Sequence, residues 1–338
     1  MTRHLFGALP DGSPVEEFTL RAGAIEARII TWGAVLRDLV VRDRAGRPRQ
    51  VVLGLNTIED YLVHSRNFGA ICGRVVNRIA GARMTIDGVS CTLTPNFRGR
   101  HTLHGGASGF SRRVWSVAAA DEASVTLDLH SPHGEEGFPG AVRARCIWRV
   151  EPPAVLRVVL TATTDAPTAV NLAPHAYFNL DGAATIDAHL LEVAADFYTP
   201  TDPDGIPTGE IRTVAATPFD FRGGRRLGDA PRPEGGYDVN LVLRRAGAAP
   251  GLLPVATLGS ADGALAMEVR TTEPGLQLYD ATGLDLPVIG VDGRRYGPRA
   301  GLAIEPQHFP DAVHHAHFPS VILRPGETRR QETAFVFS

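Results

Sequence analysis

The 338-residue chain is predicted to be all-β, a large antiparallel sandwich. Three observations lead there: short apolar runs alternate at period two, helical periodicity is nearly absent, and 36 glycines and 25 prolines punctuate the runs evenly. Many short strands without intervening helices fit packed antiparallel sheets rather than a parallel sheet with crossover helices. The hydrophobic content of 43% suffices for a substantial core, and no linker or composition shift marks a boundary. One domain over 1–338 is therefore expected.

The elements follow in order. From Ala24 to Ile30, Ile25, Ala27 and Ile29 alternate with Glu26 and Arg28, the pattern of a half-buried strand. Thr57–Leu62 has the makings of a single helical turn. Met84 and Ile86, then Asp87-Gly88, then Val89, Cys91 and Leu93 read as a hairpin, because Asp-Gly supplies the positive φ angles of a tight turn. Further strands are expected at Ser124–Leu129, Val142–Val150, Val155–Thr161, Leu190–Ala194, Ala264–Thr271 and Gly301–Glu305. Asp204-Gly205, Asp262-Gly263 and Asp292-Gly293 mark later turns.

Composition excludes several kinds of chemistry. All 34 basic residues are arginine, so no lysine Schiff base and no Walker-type phosphate loop can be built. The net charge of −3 and the scattered arginines lack the basic footprint of a nucleic-acid binder, and Arg222, Arg225 and Arg226 read as a solvated loop. Cys72, Cys91 and Cys146 are too few and too far apart for a disulfide framework or a CxxC metal site. Reduced thiols, no signal peptide and no apolar run long enough to span a bilayer make the cytoplasm the expected compartment, with no membrane contact.

Five polar stretches interrupt the strand pattern. Gly73-Arg74-Val75-Val76-Asn77-Arg78 places a guanidinium among apolar neighbours, where it needs oxygen acceptors from a ligand or from a structural ion pair. His101-Thr102-Leu103-His104-Gly105-Gly106 offers two histidines, but no nearby Cys or carboxylate completes a metal set. His175, in Ala173-Pro174-His175-Ala176-Tyr177, is a core histidine by itself and an acid–base group only with a partner. Asp238 follows Gly235-Gly236-Tyr237, where it can simply bond its own turn backbone. Glu305, at the end of an apolar strand and before Pro306-Gln307, is costly to bury unless paired or functional.

Taken in order, these stretches resemble the aldose 1-epimerase (galactose mutarotase) family over essentially the whole chain. The resemblance takes in Thr31-Trp32-Gly33-Ala34, Asn77-Arg78-Ile79, Leu103-His104-Gly105-Gly106 and Gly134–Gly140. It continues through His175-Ala176-Tyr177-Phe178-Asn179-Leu180, Thr217–Phe221, Gly236-Tyr237-Asp238, Pro274–Tyr279, Glu305-Pro306-Gln307 and Leu323–Glu327. It implies a single β-supersandwich with an open sugar cleft, no cofactor and no metal, acting on a small monosaccharide as a monomer or homodimer. It makes Glu305 the general base and His175 the general acid, with Asn77, Arg78, His104, Asp238 and Gln277 holding the sugar.

Those roles fit the reaction. Anomer exchange needs a proton removed from the C1 hydroxyl while another reaches the ring oxygen; the ring opens, the C1–C2 bond turns, and closure follows on the other carbonyl face. A carboxylate and a histidine on opposite sides of that C–O bond suffice. Three departures stand out: Pro174 where the family carries Asn, Pro306 where it carries Thr, and His314 where Asn is common. The first two flank the acid and the base, and a proline removes a backbone donor. A sugar-phosphate mutarotase would need an added cationic pocket, and a β-sandwich glycosidase would need two flanking carboxylates, of which only Glu305 is compelling. A non-catalytic sugar-binding sandwich would not need both Glu305 and His175.

Overall fold

The computed structural model describes residues 2–245 and 251–338. Among these, the ladders of the three large sheets are antiparallel, as expected. A five-stranded sheet runs in chain order from Thr2–Ala8 to Pro48–Gln50. A nine-stranded sheet contains Ser124–Ser131, Val142–Glu151 and Val155–Thr164, and the C-terminal strand Arg329–Phe337 lies in its middle. A six-stranded sheet contains Tyr177–Phe178, Leu302–Gln307, Gly275–Tyr279 and Asp238–Leu243, in that spatial order, followed by Ala195–Thr199 and Arg212–Thr213.

Alternation explains how these sheets share one core. Phe18, Leu20, Ala27 and Ile29 of the first sheet, Leu127, Trp148, Leu156 and Phe335 of the second, and Leu241, Leu276, Leu278 and Ile304 of the third are all buried in a single apolar cluster. The Trp148 indole donates to the Ala34 carbonyl at 2.9 Å, which satisfies its polar atom inside that core. The six-stranded sheet is the decisive one, because side chains on successive residues point to opposite faces. Leu302 and Ile304 enter the core, which leaves Ala303, Glu305 and Gln307 for the other face.

Most expected elements are present with small shifts of their ends, and the Asp87-Gly88 hairpin forms with φ of 51° and 80° at its two turn residues. Three expectations are corrected. The turn at Thr57–Leu62 is a helix over Ile58–His64, capped by the Thr57 hydroxyl on the Asp60 amide. The strand expected to stop at Glu305 runs Leu302–Gln307 with Pro306 inside it. There it pairs with Gly275–Tyr279, while its other ladder, to Tyr177–Phe178, involves only Leu302 and Ala303; Pro306 therefore sits where the strand is an edge. Arg225–Arg226 is no free loop but a short strand on Leu190–Leu191, with Arg225 bonded to the Pro218 and Pro231 carbonyls. His314 belongs to a short helical turn in which its Nδ1 lies 2.7 Å from Asp311.

Candidate active site

The outward face of the six-stranded sheet forms the floor of a cavity of about 480 Å³. All seven site residues expected from sequence line it: Asn77, Arg78, His104, His175, Asp238, Gln277 and Glu305. Cross-strand register sets the floor. Asn240 pairs with Gln277, which pairs with Glu305; in the adjacent row Asp238 pairs with Tyr279, which pairs with Ala303, which pairs with Tyr177.

His175 enters from a different element. It follows the short strand Ala173–Pro174, and its backbone donates to the Ala70 carbonyl and accepts from Gly69 at 2.9 and 3.0 Å. Those two bonds tie the chain around Pro174 without needing a donor from the proline itself. The imidazole is buried, and its Nε2 lies 3.5 Å from Glu305 Oε1. The Tyr177 ring packs 5.0 Å from it and the His104 ring 5.2 Å, edge-on.

His104 and Asn77 are locked together. The Asn77 amide donates to His104 Nδ1 at 3.2 Å, and the His104 amide donates to the Asn77 carbonyl at 2.9 Å. The first bond fixes the proton of a neutral His104 on Nε2. Gly105 makes the turn possible: a Cβ there would stand 2.0 Å from the Gly73 carbonyl oxygen, and its φ is 84°.

Arg78 and Asp238 form the charged rim. The Arg78 guanidinium donates to Asp238 at 3.0 Å, and its carbon sits 4.9 Å from the centre of the Phe97 ring. Gln277 donates to the other Asp238 oxygen at 2.6 Å. Asp238 is thus not the self-bonded turn carboxylate that its local sequence suggested; it opens a strand and gathers two partners from distant segments.

Burial dominates the electrostatics. It pushes the Glu305 carboxyl well above its ordinary value, with the Asp238 charge adding to the rise and Arg78 opposing it. Burial also pushes His175 down to about 4. His104 falls well below its usual value, first through burial and then through His175 and Arg78.

Several lining residues were not legible as site residues. Phe97, Tyr177 and Tyr279 supply aromatic walls, and Ser65, Arg66, Asn67, Ser111 and Arg112 complete another side. An isolated aromatic in a strand pattern carries no mark of which face it occupies until register is known. Tyr177 and Tyr279 did fall inside motifs already singled out, which was the available signal. Arg74, beside the Asn77-Arg78 pair in sequence, is instead wholly structural in position: its fork is buried against the Ser131 hydroxyl and the carbonyls of Ser131, Pro132, Pro139 and Gly140.

A family model described as aldose 1-epimerase matches residues 16–336. The galactose mutarotase of Sus scrofa is 38% identical over 343 aligned residues, covering 100% of this chain and 98% of that protein. The aldose 1-epimerase of Escherichia coli is 36% identical and covers 97% of this chain and 96% of its own. Among solved structures, an aldose epimerase homologue from C. elegans superposes with a TM-score of 0.88 at 33% identity, covering 95% of this chain and 99% of that one. With a polar cavity on its six-stranded sheet and full-length likeness to these isomerases, the chain belongs to the aldose 1-epimerase family and is an aldose 1-epimerase.

Proposed function

We propose that this enzyme interconverts the anomers of a free aldose, a hexose of the galactose or glucose type or a pentose, with Glu305 as base and His175 as acid. One observation carries the assignment: the 3.5 Å approach of His175 Nε2 to Glu305 Oε1 on the floor of a cavity that is also lined by the polar side chains of Asn77, Arg78, His104, Asp238 and Gln277. The two groups stand side by side rather than across the bond. That suits the reaction, because O1 and the ring oxygen hang from the same carbon and each can meet one of the pair.

The proton inventory closes. Burial leaves the shared proton on Glu305 at rest, and the reactive form is its tautomer with Glu305 ionised and His175 protonated; from it Glu305 takes the O1 proton as His175 gives its own to the ring oxygen, and the C1–O5 bond breaks. The pair is then neutral on both sides, facing an open-chain aldehyde. Burial favours that neutral pair, so the desolvated floor stabilises the enzyme state that accompanies ring opening. After rotation about C1–C2, the oxygen at C5 attacks the other carbonyl face, His175 recovers its proton, and Glu305 returns one to O1. Arg78, His104, Asp238, Asn77 and Gln277 hold the remaining oxygens through both steps.

The proposal extends to a cytoplasmic protein working as one domain over 1–338, as a monomer or homodimer, without cofactor, metal or nucleic acid. The cysteines, free among the described residues, support the reducing compartment. No described helix is long and apolar enough to cross a membrane. One observation keeps a phosphorylated aldose in the substrate panel: Arg66 and Arg112 line the cavity, and neither guanidinium bonds a carboxylate among the described residues.

Polarimetry on freshly dissolved α-galactose, α-glucose, α-xylose and glucose 6-phosphate tests these readings together. Wild type should accelerate equilibration of the free sugars, and Glu305→Gln and His175→Asn should each lose on the order of 10²–10⁴-fold in rate. Wild-type rates in either folded variant would remove that residue from its role.

A further inference from the structure

Gln307 completes the Glu305-Pro306-Gln307 motif, yet it does not line the cavity. Strand alternation puts it on the same face as Glu305, one row deeper, where it is 0% exposed. Neither its amide nitrogen nor its amide oxygen bonds any group among the described residues. Two neighbours share that condition. Asn240, which pairs with Gln277 beside Glu305, gives its nitrogen to the Thr199 hydroxyl at 3.2 Å and leaves its oxygen unbonded. Glu305 itself has one oxygen, Oε2, in the same state.

Gly275 places the Asn240 amide oxygen beside the Gln307 position. It lies directly across the ladder from Gln307, and a Cβ there would stand 2.6 Å from the Asn240 amide oxygen and 3.0 Å from the Gln307 carbonyl. The missing side chain is thus what lets the Asn240 amide lean toward the Gln307 row. Buried amide and carboxylate atoms in native proteins find partners, and an internal water typically takes two to four of them. Gln307 and Glu305 are two residues apart on one strand face, roughly 7 Å at the backbone, a gap that one water spans better than a direct bond.

We propose that Gln307 and Asn240 hold an internal water that donates to Glu305 Oε2, making Gln307 a positioning residue for the carboxylate. The Gln307 amide nitrogen donates to the water, which in turn donates to the Asn240 amide oxygen and to Glu305 Oε2, one bond accepted and two given, within what one water can make. The water fixes the rotation of the carboxylate, so that Oε1 stays turned toward His175 and the sugar. By bonding the ionised form it also restrains the rise in basicity that burial imposes. The inference rests on Glu305 being the base.

The test is Gln307→Met, which keeps the length of the side chain and removes both polar atoms. We expect kcat to fall on the order of 10- to 100-fold with KM nearly unchanged. The alkaline limb of the pH profile, which follows Glu305, should move to higher pH, because the ionised carboxylate loses a hydrogen bond. A merely structural role would not shift that limb. A high-resolution crystal structure of the wild-type enzyme should show one ordered water bridging Gln307, Asn240 and Glu305 Oε2, and this decides the matter if the variant does not fold. Wild-type kcat and pH profile in Gln307→Met, or a Gln307 amide bonded directly to protein with no bridging water, overturns the proposal. Glu305→Gln separates the two readings. Inactive Glu305→Gln beside an unaffected Gln307→Met sinks only the water; active Glu305→Gln sinks the base and, with it, the positioning role.

Discussion

Arg78 and Asp238 lie 160 residues apart in sequence and meet in a 3.0 Å ion pair at the rim of the candidate active-site cavity. The two charges pull the Glu305 carboxyl in opposite directions, Asp238 raising its pKa and Arg78 lowering it, over a larger upward push from burial. Asp238→Asn should therefore move the alkaline limb of kcat/KM, which reports loss of the proton held by Glu305, to lower pH, and Arg78→Met should move it to higher pH. Parallel shifts in both variants would contradict the assignment of that limb to Glu305.

Stability should respond to pH through the same floor. His175 is held at about 4 by burial, against an ordinary 6.5. Between those values the unfolded chain binds a proton there that the folded chain does not, so this group's contribution is lost as pH falls from 6.5 towards 4. Glu305 works the other way: its folded carboxyl keeps a proton that the unfolded chain releases above 4.5, so its contribution declines as pH rises. Urea unfolding of Glu305→Gln should accordingly show stability rising with pH over this window more steeply than in wild type. Adding His175→Asn should remove on the order of 1–3 kcal/mol of that rise. His104, shifted in the same direction as His175, leaves some slope behind. An unchanged slope in the double variant would refute the His175 assignment.

Asp204 ties two loops to Arg78 from outside the cavity. It receives Arg98 at 2.7 Å, Arg100, and His101 Nε2 at 3.3 Å, while the adjacent Gly205 carbonyl lies 3.4 Å from the Arg78 guanidinium. Asp204→Ala should loosen Arg78 without touching the acid or the base. Steady-state kinetics should show KM rising roughly 3- to 10-fold, about 1 kcal/mol, with kcat close to wild type. A fall in kcat with constant KM would place Asp204 in the chemistry instead.

Arg74 offers a stability test close to the site in sequence and separate from it in function. Burial lowers its pKa to about 10, yet its fork is fully used by two hydroxyls, of Ser131 and Thr168, and four carbonyls. Arg74→Met strands those acceptors and should cost more than about 3 kcal/mol. Arg74→Lys should recover little, because an ammonium cannot reproduce the planar fork. Thermal unfolding checks both; a lysine variant as stable as wild type would show that charge, not geometry, is what the site needs.

Much of this was readable from the chain alone. Alternation at Ile25–Ile30 and Val142–Glu151, and the Asp87-Gly88 turn, are local patterns, and local patterns report which side of a strand is dry. The mistakes also share a cause. Pro306 looked like a strand end, and Asp238 looked like a turn cap, because each was judged without its cross-strand neighbours.

By itself, then, the sequence determined an antiparallel sandwich, the family, and a set of seven polar residues that line one cavity. Tertiary structure alone decided the rest: that His175 approaches Glu305 to 3.5 Å, that Phe97 lies under Arg78, and that Gln307 is buried on the strand face of Glu305 without lining the cavity. The physical reason is range. Periodicity along a strand is set by adjacent residues, whereas the meeting of side chains a hundred or more positions apart depends on register between strands, which no short stretch of sequence encodes.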